Sequence, residues 1–187
     1  ICFSSANKCL HAVSGVSLLC VHERVWARIE DLNPRVYYLD MKRYRRYARD
    51  LAQTPFTPAV STFFALDAAL DELLAAGIDA RNRQYRARSQ RIRAALSELG
   101  FAPMTNSGHE SHGISSLTVP GDVRFEDLYR ELKARGYIVY DSKEHLSGRV
   151  VQIANMGELS DEMIDGFLAA LREVCALVRR KSRHLGL

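Results

Sequence analysis

The feature that most constrains this chain is the helical periodicity of residues 60–99, broken once by a glycine. Val60, Phe63, Phe64, Leu66, Leu70, Leu73 and Leu74 recur mostly at three- and four-residue spacing up to Gly77. That is the apolar stripe of an amphipathic helix, and the glycine is its stop. Ile78, Tyr85, Ile92 and Leu99 continue as a narrow stripe, while Arg81, Arg83, Arg86, Arg88, Arg91 and Arg93 take the other faces. This second helix reads as solvated on most sides, and two such helices in tandem predict a connector between two packed bodies.

The segments on either side differ in kind. After Gly100 the pattern predicts a compact α+β unit: a strand over 114–119, a helix over 125–135 closed by Gly136, and strands over 137–140 and 150–153. A final helix capped by Ser160 follows, with Met163, Ile164, Phe167, Leu168, Leu171, Val174 and Val178 on one face. Before residue 60, residues 1–3 read as the end of a buried strand and residues 13–21 as a second strand. A helix is expected from about His22, carrying Val25, Trp26 and Ile29, and Asn33-Pro34 ends it. Residues 35–50 are rich in Tyr and Arg, which suits a solvated face or a rim favourable to anions better than a nucleic-acid surface. Residues 54–58 form a loop, with Pro58 at the first turn of the helix beyond it.

Composition narrows the function classes. Of 187 residues, 47% are apolar and 26% charged, with a formal net charge of +4. These values describe a globular protein holding one core, or one domain and part of another, with room for anionic substrates. Cys2, Cys9, Cys20 and Cys175 make no CxxC pair, and His109 and His112 sit alone in a Gly/Ser-rich loop. No metal site is expected, and the thiols read as reduced. No apolar run is long enough to span a bilayer. The chain opens on Ile1 with no basic leader, so a cytoplasmic fragment of a longer protein is expected.

Three residues are candidates for chemistry. Lys8 follows a strand in the turn Ser4-Ser5-Ala6-Asn7-Lys8. A lysine at the rim of a sheet is either an ordinary surface cation or an amine placed to attack a carbonyl. Thr57, before Pro58, is either a helix cap or a hydroxyl for a phosphate. Arg149, at the start of a strand, is either an ion-pair partner or a fork for an acidic group.

The string Phe3-Ser4-Ser5-Ala6-Asn7-Lys8-Cys9-Leu10, running into Val13-Ser14-Gly15-Val16, resembles the cofactor-lysine segment of class V aminotransferases. Within them it is closest to the 2-aminoethylphosphonate–pyruvate transaminases. The likeness continues through Thr54-Pro55-Phe56-Thr57-Pro58, the helix around Arg81-Asn82-Arg83-Gln84-Tyr85, and the run from Gly148-Arg149-Val150 to Asn155-Met156-Gly157-Glu158. Ser14 stands where that family has proline, and the aromatic pair near Phe56 also departs from its pattern.

The resemblance implies an α/β chain of fold type I in three parts. Residues 1–50 would end the large domain, residues 51–99 would be connecting helices, and residues 100–187 would form the small α+β domain. It also implies pyridoxal 5'-phosphate as cofactor, a homodimer, and transfer of an amino group from 2-aminoethylphosphonate to pyruvate. Lys8 would form the Schiff base and move the proton, Thr57 would bind the cofactor phosphate across the dimer interface, and Arg149 would clamp the substrate's acidic end. The family's phosphate turn, stacked aromatic residue and ring-nitrogen Asp precede the lysine, so this chain alone is expected to be inactive. The alternatives are a serine- or alanine–glyoxylate aminotransferase and a non-catalytic dimerising remnant. A cysteine desulfurase fits less well, because Asn7 stands where those enzymes carry His.

Overall fold

The computed structural model describes residues 1–184, which divide into two compact units, Ile1–Ala75 and a second beginning at Ala76. Each unit is described by itself.

The first unit opens with a two-stranded antiparallel ribbon, β1 (Cys2–Ser5) and β2 (Ser17–Cys20). The strand predicted over 13–21 is thus shorter, because residues 6–16 are used as a connection. The expectation of a buried first strand also fails within this unit: Phe3 is 81% exposed. Two strands alone leave both faces of a ribbon uncovered.

Helix α1 (Glu23–Glu30) follows the expected position. Its N-cap His22 accepts a hydrogen bond from the Arg24 backbone N–H at 3.3 Å. The Tyr/Arg-rich segment, read only as a polar face, forms helix α2 (Met41–Leu51). Asp40 caps it, accepting from the Lys42 N–H at 3.0 Å, and Ala52 ends it in the left-handed region. Lys42 Nζ also donates to the Glu30 and Leu32 carbonyls at 3.1 and 2.6 Å. A cation therefore satisfies acceptors at the C-terminal end of α1, where the helix dipole favours it. Arg45 pairs with Glu23 and Glu30 and lies 4.4 Å from the centre of the Trp26 ring. Helix α3 (Val60–Ala76) begins beyond Pro58, which therefore lies in the preceding loop rather than in the first turn.

The second unit holds the core. Helix α4 (Ile78–Glu98) leads into a four-stranded antiparallel sheet ordered β3 (Ala102–Pro103), β4 (Ile114–Thr118), β6 (Val150–Ala154) and β5 (Tyr140–Asp141). Register pairs Leu117 with Val151 and Ser115 with Ile153, and all four are buried, so one sheet face points into the core. Helices α5 (Phe125–Ala134) and α6 (Asp161–His184) supply Leu128, Leu132, Phe167, Leu171, Val174 and Val178 to the same cluster. Met163, expected on that apolar face, is exposed instead, while Cys175 takes a buried place.

Helix α4 departs from the expectation of a mostly solvated connector. Ile92, Ala95 and Leu96 enter the core, and Tyr85, Arg88 and Ser89 are buried on the same side. Arg88, only 3% exposed, donates to the Gly157 carbonyl at 3.3 Å and to the Leu159 carbonyl. One turn earlier the Tyr85 hydroxyl accepts from the Gly157 N–H at 3.1 Å. Both polar groups of one turn residue are therefore held by side chains of one helix. Ser160 then caps α6, as expected, accepting from the Met163 N–H at 3.2 Å. Within α6, a Cβ at Gly166 would come within 2.7 Å of the Tyr137 hydroxyl, and the Tyr137 ring packs edge-on to Phe167 at 5.5 Å.

Arg88→Met should leave two carbonyls without donors and lower the unfolding free energy by about 2–4 kcal/mol. Urea denaturation measures this, and Arg88→Lys is expected to lose less.

Candidate functional site

Lys8 sits in the connection between β1 and β2, and three backbone hydrogen bonds fix that connection. The Ala6 N–H donates to the Val16 carbonyl at 3.1 Å, extending the ribbon by one pair. The Ala12 N–H returns to the Ala6 carbonyl at 3.1 Å, and the His11 N–H donates to the Lys8 carbonyl at 3.0 Å. His11 closes this tight turn at φ +66°, and Ala6 is fully buried at its base. The perch is set by small residues: Ser5 and Ala6 let the strand end turn without a side chain in the way. The Lys8 side chain is exposed and makes no hydrogen bond or ion pair among the described residues.

The connection is also anchored to α3. Gly15, at φ +128°, lies so close to Thr62 that a Cβ would meet its Oγ1 at 3.2 Å and its Cγ2 at 3.3 Å. Thr62 is in the first turn of α3, and the loop before that turn carries Thr57. Thr57 is exposed and stands ahead of the helix, so it is not the helix cap. Its loop is pinned on both sides. Thr54 Oγ1 donates to the Phe56 carbonyl at 2.7 Å, and the Phe56 ring packs against Tyr37, Tyr38 and Tyr44 with centroids 5.5, 4.9 and 6.0 Å away. Arg43 covers the outer face of Tyr37 at 3.9 Å. Burial first, and then the neighbouring Tyr38 phenol, hold the Tyr44 phenol above its ordinary pKa. Tyr47, Gln53, Thr54 and Thr57 border a shallow surface depression beside this cluster.

Arg149 belongs to the second unit and immediately precedes β6. Its N–H donates to the Leu146 carbonyl at 3.1 Å, and its carbonyl accepts from the Val119 N–H at 2.9 Å. The two residues before it are braced by Asp141, whose carboxylate accepts from the Gly148 N–H at 2.7 Å and from the Ser147 hydroxyl. The guanidinium is exposed and forms no ion pair among the described residues. A planar donor fork held on so fixed a backbone suits a carboxylate or phosphonate.

Lys8 and Thr57 therefore share the first unit, on segments linked through Gly15 and Thr62, while Arg149 lies in the second. Lys8 and Thr57 fit a phosphorylated aldehyde cofactor in kind: they offer an unengaged amine and an unengaged hydroxyl on fixed backbones. Sequence reasoning missed the supports. Asp141 behind Arg149 is one, and the Tyr85/Arg88 grip on the turn after β6 is another. Tyr85 and Arg88 fall on one helical stripe with the buried Ser89 and Ile92, and that spacing would have revealed it. Asn155, 1% exposed in the same turn, donates its amide to the Tyr85 carbonyl at 3.4 Å, while its Oδ1 has no hydrogen-bond partner among the described residues.

No family model matches the chain. Among curated proteins it is similar to an uncharacterized aminotransferase of Methanocaldococcus jannaschii, 29% identical over 174 residues that cover 91% of this chain and 45% of that protein. It is also similar to the 2-aminoethylphosphonate–pyruvate transaminase of Klebsiella pneumoniae, 32% identical over 172 residues that cover 90% of this chain and 46% of that protein. Among solved structures, a pyridoxamine–pyruvate aminotransferase from Mesorhizobium loti superposes with a TM-score of 0.84 at 24% identity, over 94% of this chain and 46% of that one. The chain thus spans less than half the length of each of these relatives. Its homologues are aminotransferases, and its architecture is that of the fold-type-I pyridoxal-phosphate aminotransferases. No helix among the described residues is long and apolar enough to cross a membrane.

Gly15→Val should break the contact between the Lys8 connection and α3. The replacement adds a strained backbone, costing about 1–3 kcal/mol, to a steric conflict with Thr62. Faster amide exchange at Ala6 and Ala12, with the second unit unchanged, is the expected reading.

Proposed function

We propose that this chain carries the lysine-bearing portion of a pyridoxal-phosphate aminotransferase that moves the amino group of 2-aminoethylphosphonate to pyruvate. The observation that carries this reading is the Lys8 perch: an unengaged amine on a turn tied down at Ala6, His11 and Ala12. The similarity to the Klebsiella pneumoniae transaminase supports the choice of donor and acceptor.

In this reading Lys8 Nζ would hold the cofactor covalently, give way to the incoming amine, and carry the proton that leaves the amine-bearing carbon. The bound cofactor supplies an electron-withdrawing ring that holds the electron pair left when that C–H bond breaks. Thr57 directs its hydroxyl to the cofactor phosphate of a partner subunit in a homodimer, and the Phe56 cluster keeps its loop in place. Arg149 forks onto the acidic end of the substrate. The nitrogen leaves the donor, which becomes phosphonoacetaldehyde, and passes to the carbonyl carbon of pyruvate, giving alanine in a second half-reaction.

The tests use the longer protein that contains this chain. It should show a visible absorption band on addition of pyridoxal phosphate, and Lys8→Ala should abolish that band. The 187-residue chain by itself should show none. Arg149→Ala should raise KM for pyruvate by about tenfold or more, equal to about 1.4 kcal/mol or more, with a smaller change in kcat. A full-length protein that turns over serine or alanine with glyoxylate, and not the phosphonate amine, would refute the donor while leaving Lys8 its role. A protein with no band would refute the whole reading.

A further inference from the structure

Among the described residues, three other than glycine have a left-handed backbone, and one of them, His11 at φ +66°, lies in the turn that carries Lys8. Such a φ is uncommon outside glycine, and asparagine, aspartate and histidine tolerate it better than other side chains do. Resting on the reading of Lys8 as the cofactor lysine, we propose that His11 is a positioning residue for it. The left-handed backbone of His11, and not its imidazole, fixes the place from which the Lys8 amine acts.

Two successive amides hold the turn. The His11 N–H donates to the Lys8 carbonyl at 3.0 Å, and the next one, that of Ala12, donates to the Ala6 carbonyl at 3.1 Å. Rotation about the N–Cα bond of His11 sets the direction of the second donor relative to the first. A change to negative φ would swing the Ala12 N–H off the Ala6 carbonyl and open the loop that encloses residues 7–11. Ala6 is the fixed end of that loop: it is fully buried, and its own N–H is bonded to the Val16 carbonyl at 3.1 Å. Lys8 is therefore tied to the β1–β2 ribbon through the Ala12–Ala6 bond, and that bond depends on φ at His11.

The chemistry makes this placement matter. An amine that meets a fixed carbonyl carbon and then carries a proton works from a near-attack geometry, and a displacement of about 1 Å can cost about a hundredfold in rate. The acidic end of the substrate is held from the second unit in the reading above, so a loosened turn lowers kcat and leaves KM nearly unchanged. His11 has a further interaction besides these backbone bonds. Replacements that all remove the imidazole and differ in backbone preference separate the two roles. Glycine takes a positive φ freely and asparagine does so readily, whereas alanine does so with strain and β-branched valine is the least able.

The experiment uses the longer protein that contains this chain, with His11→Gly, His11→Asn, His11→Ala and His11→Val, and with Lys8→Ala as the control. In the cofactor-free proteins, amide exchange at Ala12 should stay near its original rate in His11→Gly and His11→Asn. It should quicken in His11→Ala and quicken most in His11→Val. Loaded with pyridoxal phosphate, His11→Gly and His11→Asn should keep the visible band, and His11→Val should lose kcat by about tenfold or more with KM within about twofold. His11→Ala should fall between, and its exchange rate and kcat decide the matter if His11→Val does not fold. Equal losses in all four variants would assign the effect to the imidazole and overturn the proposal, as would unchanged exchange and kcat in His11→Ala and His11→Val. A band that survives Lys8→Ala would refute the reading of Lys8 and the role of His11 with it. A band lost in Lys8→Ala, beside an unaffected His11→Val, would overturn the role of His11 alone.

Discussion

The second unit depends on a guanidinium that has been taken out of water. Arg88 is buried and donates to the Gly157 and Leu159 carbonyls, and it holds the Gly157 peptide together with the Tyr85 hydroxyl. A buried charge is costly unless all its donors are used, so the geometry of the turn is specified closely. That turn ends the central strand β6 and leads into α6, whose apolar face closes the core. Moving the turn would shift both elements, so α4 is tied to them by polar contacts as well as by Ile92 and Leu96.

The first unit is organised differently. Few of its side chains are buried, and cations set on rings and carbonyls, ion pairs and ring–ring packing share the work of holding it. Arg45 on Trp26, Arg43 on Tyr37 and Lys42 at the end of α1 hold α1, α2 and the following loop together. Such contacts contribute modestly one by one, and more where they are shielded. They place an arginine-rich surface, which an anion would favour, beside the loop that carries Thr57.

Where period and punctuation agreed, the fold was legible from sequence. Residues 60–77, 125–135 and 160–178 read correctly as helices, because stripes, caps and terminal glycines all pointed the same way. Helix α2 was not legible. Met41, Tyr44, Ala48 and Leu51 do recur at helical spacing, but the Tyr and Arg content drew the reading to a polar face, and the contacts that fix the helix are to groups far along the chain. The role of α4 was misread for a related reason: its arginines looked like solvent-facing charge, and only the tertiary structure shows Arg88 buried and Arg91 bound to Asp161 and Asp165. Lys8 stood out through the resemblance of its Ser4-Ser5-Ala6-Asn7 string to a family's cofactor-lysine segment, since the turn alone reads as readily as the site of a surface cation. Asp141 was invisible because its brace on residues 147 and 148 exists only once the loop between β5 and β6 has closed.

Gly166 and Tyr137 carry a consequence for how this sequence can drift. A side chain at 166 would collide with the Tyr137 hydroxyl, and the Tyr137 ring is itself wedged against Phe167. The constraint runs one way: a larger residue at 166 needs the Tyr137 side chain shortened or moved, whereas position 137 can shorten with Gly166 in place. Drift through this pair therefore has an order, with loss of the hydroxyl at 137 opening the way to a side chain at 166.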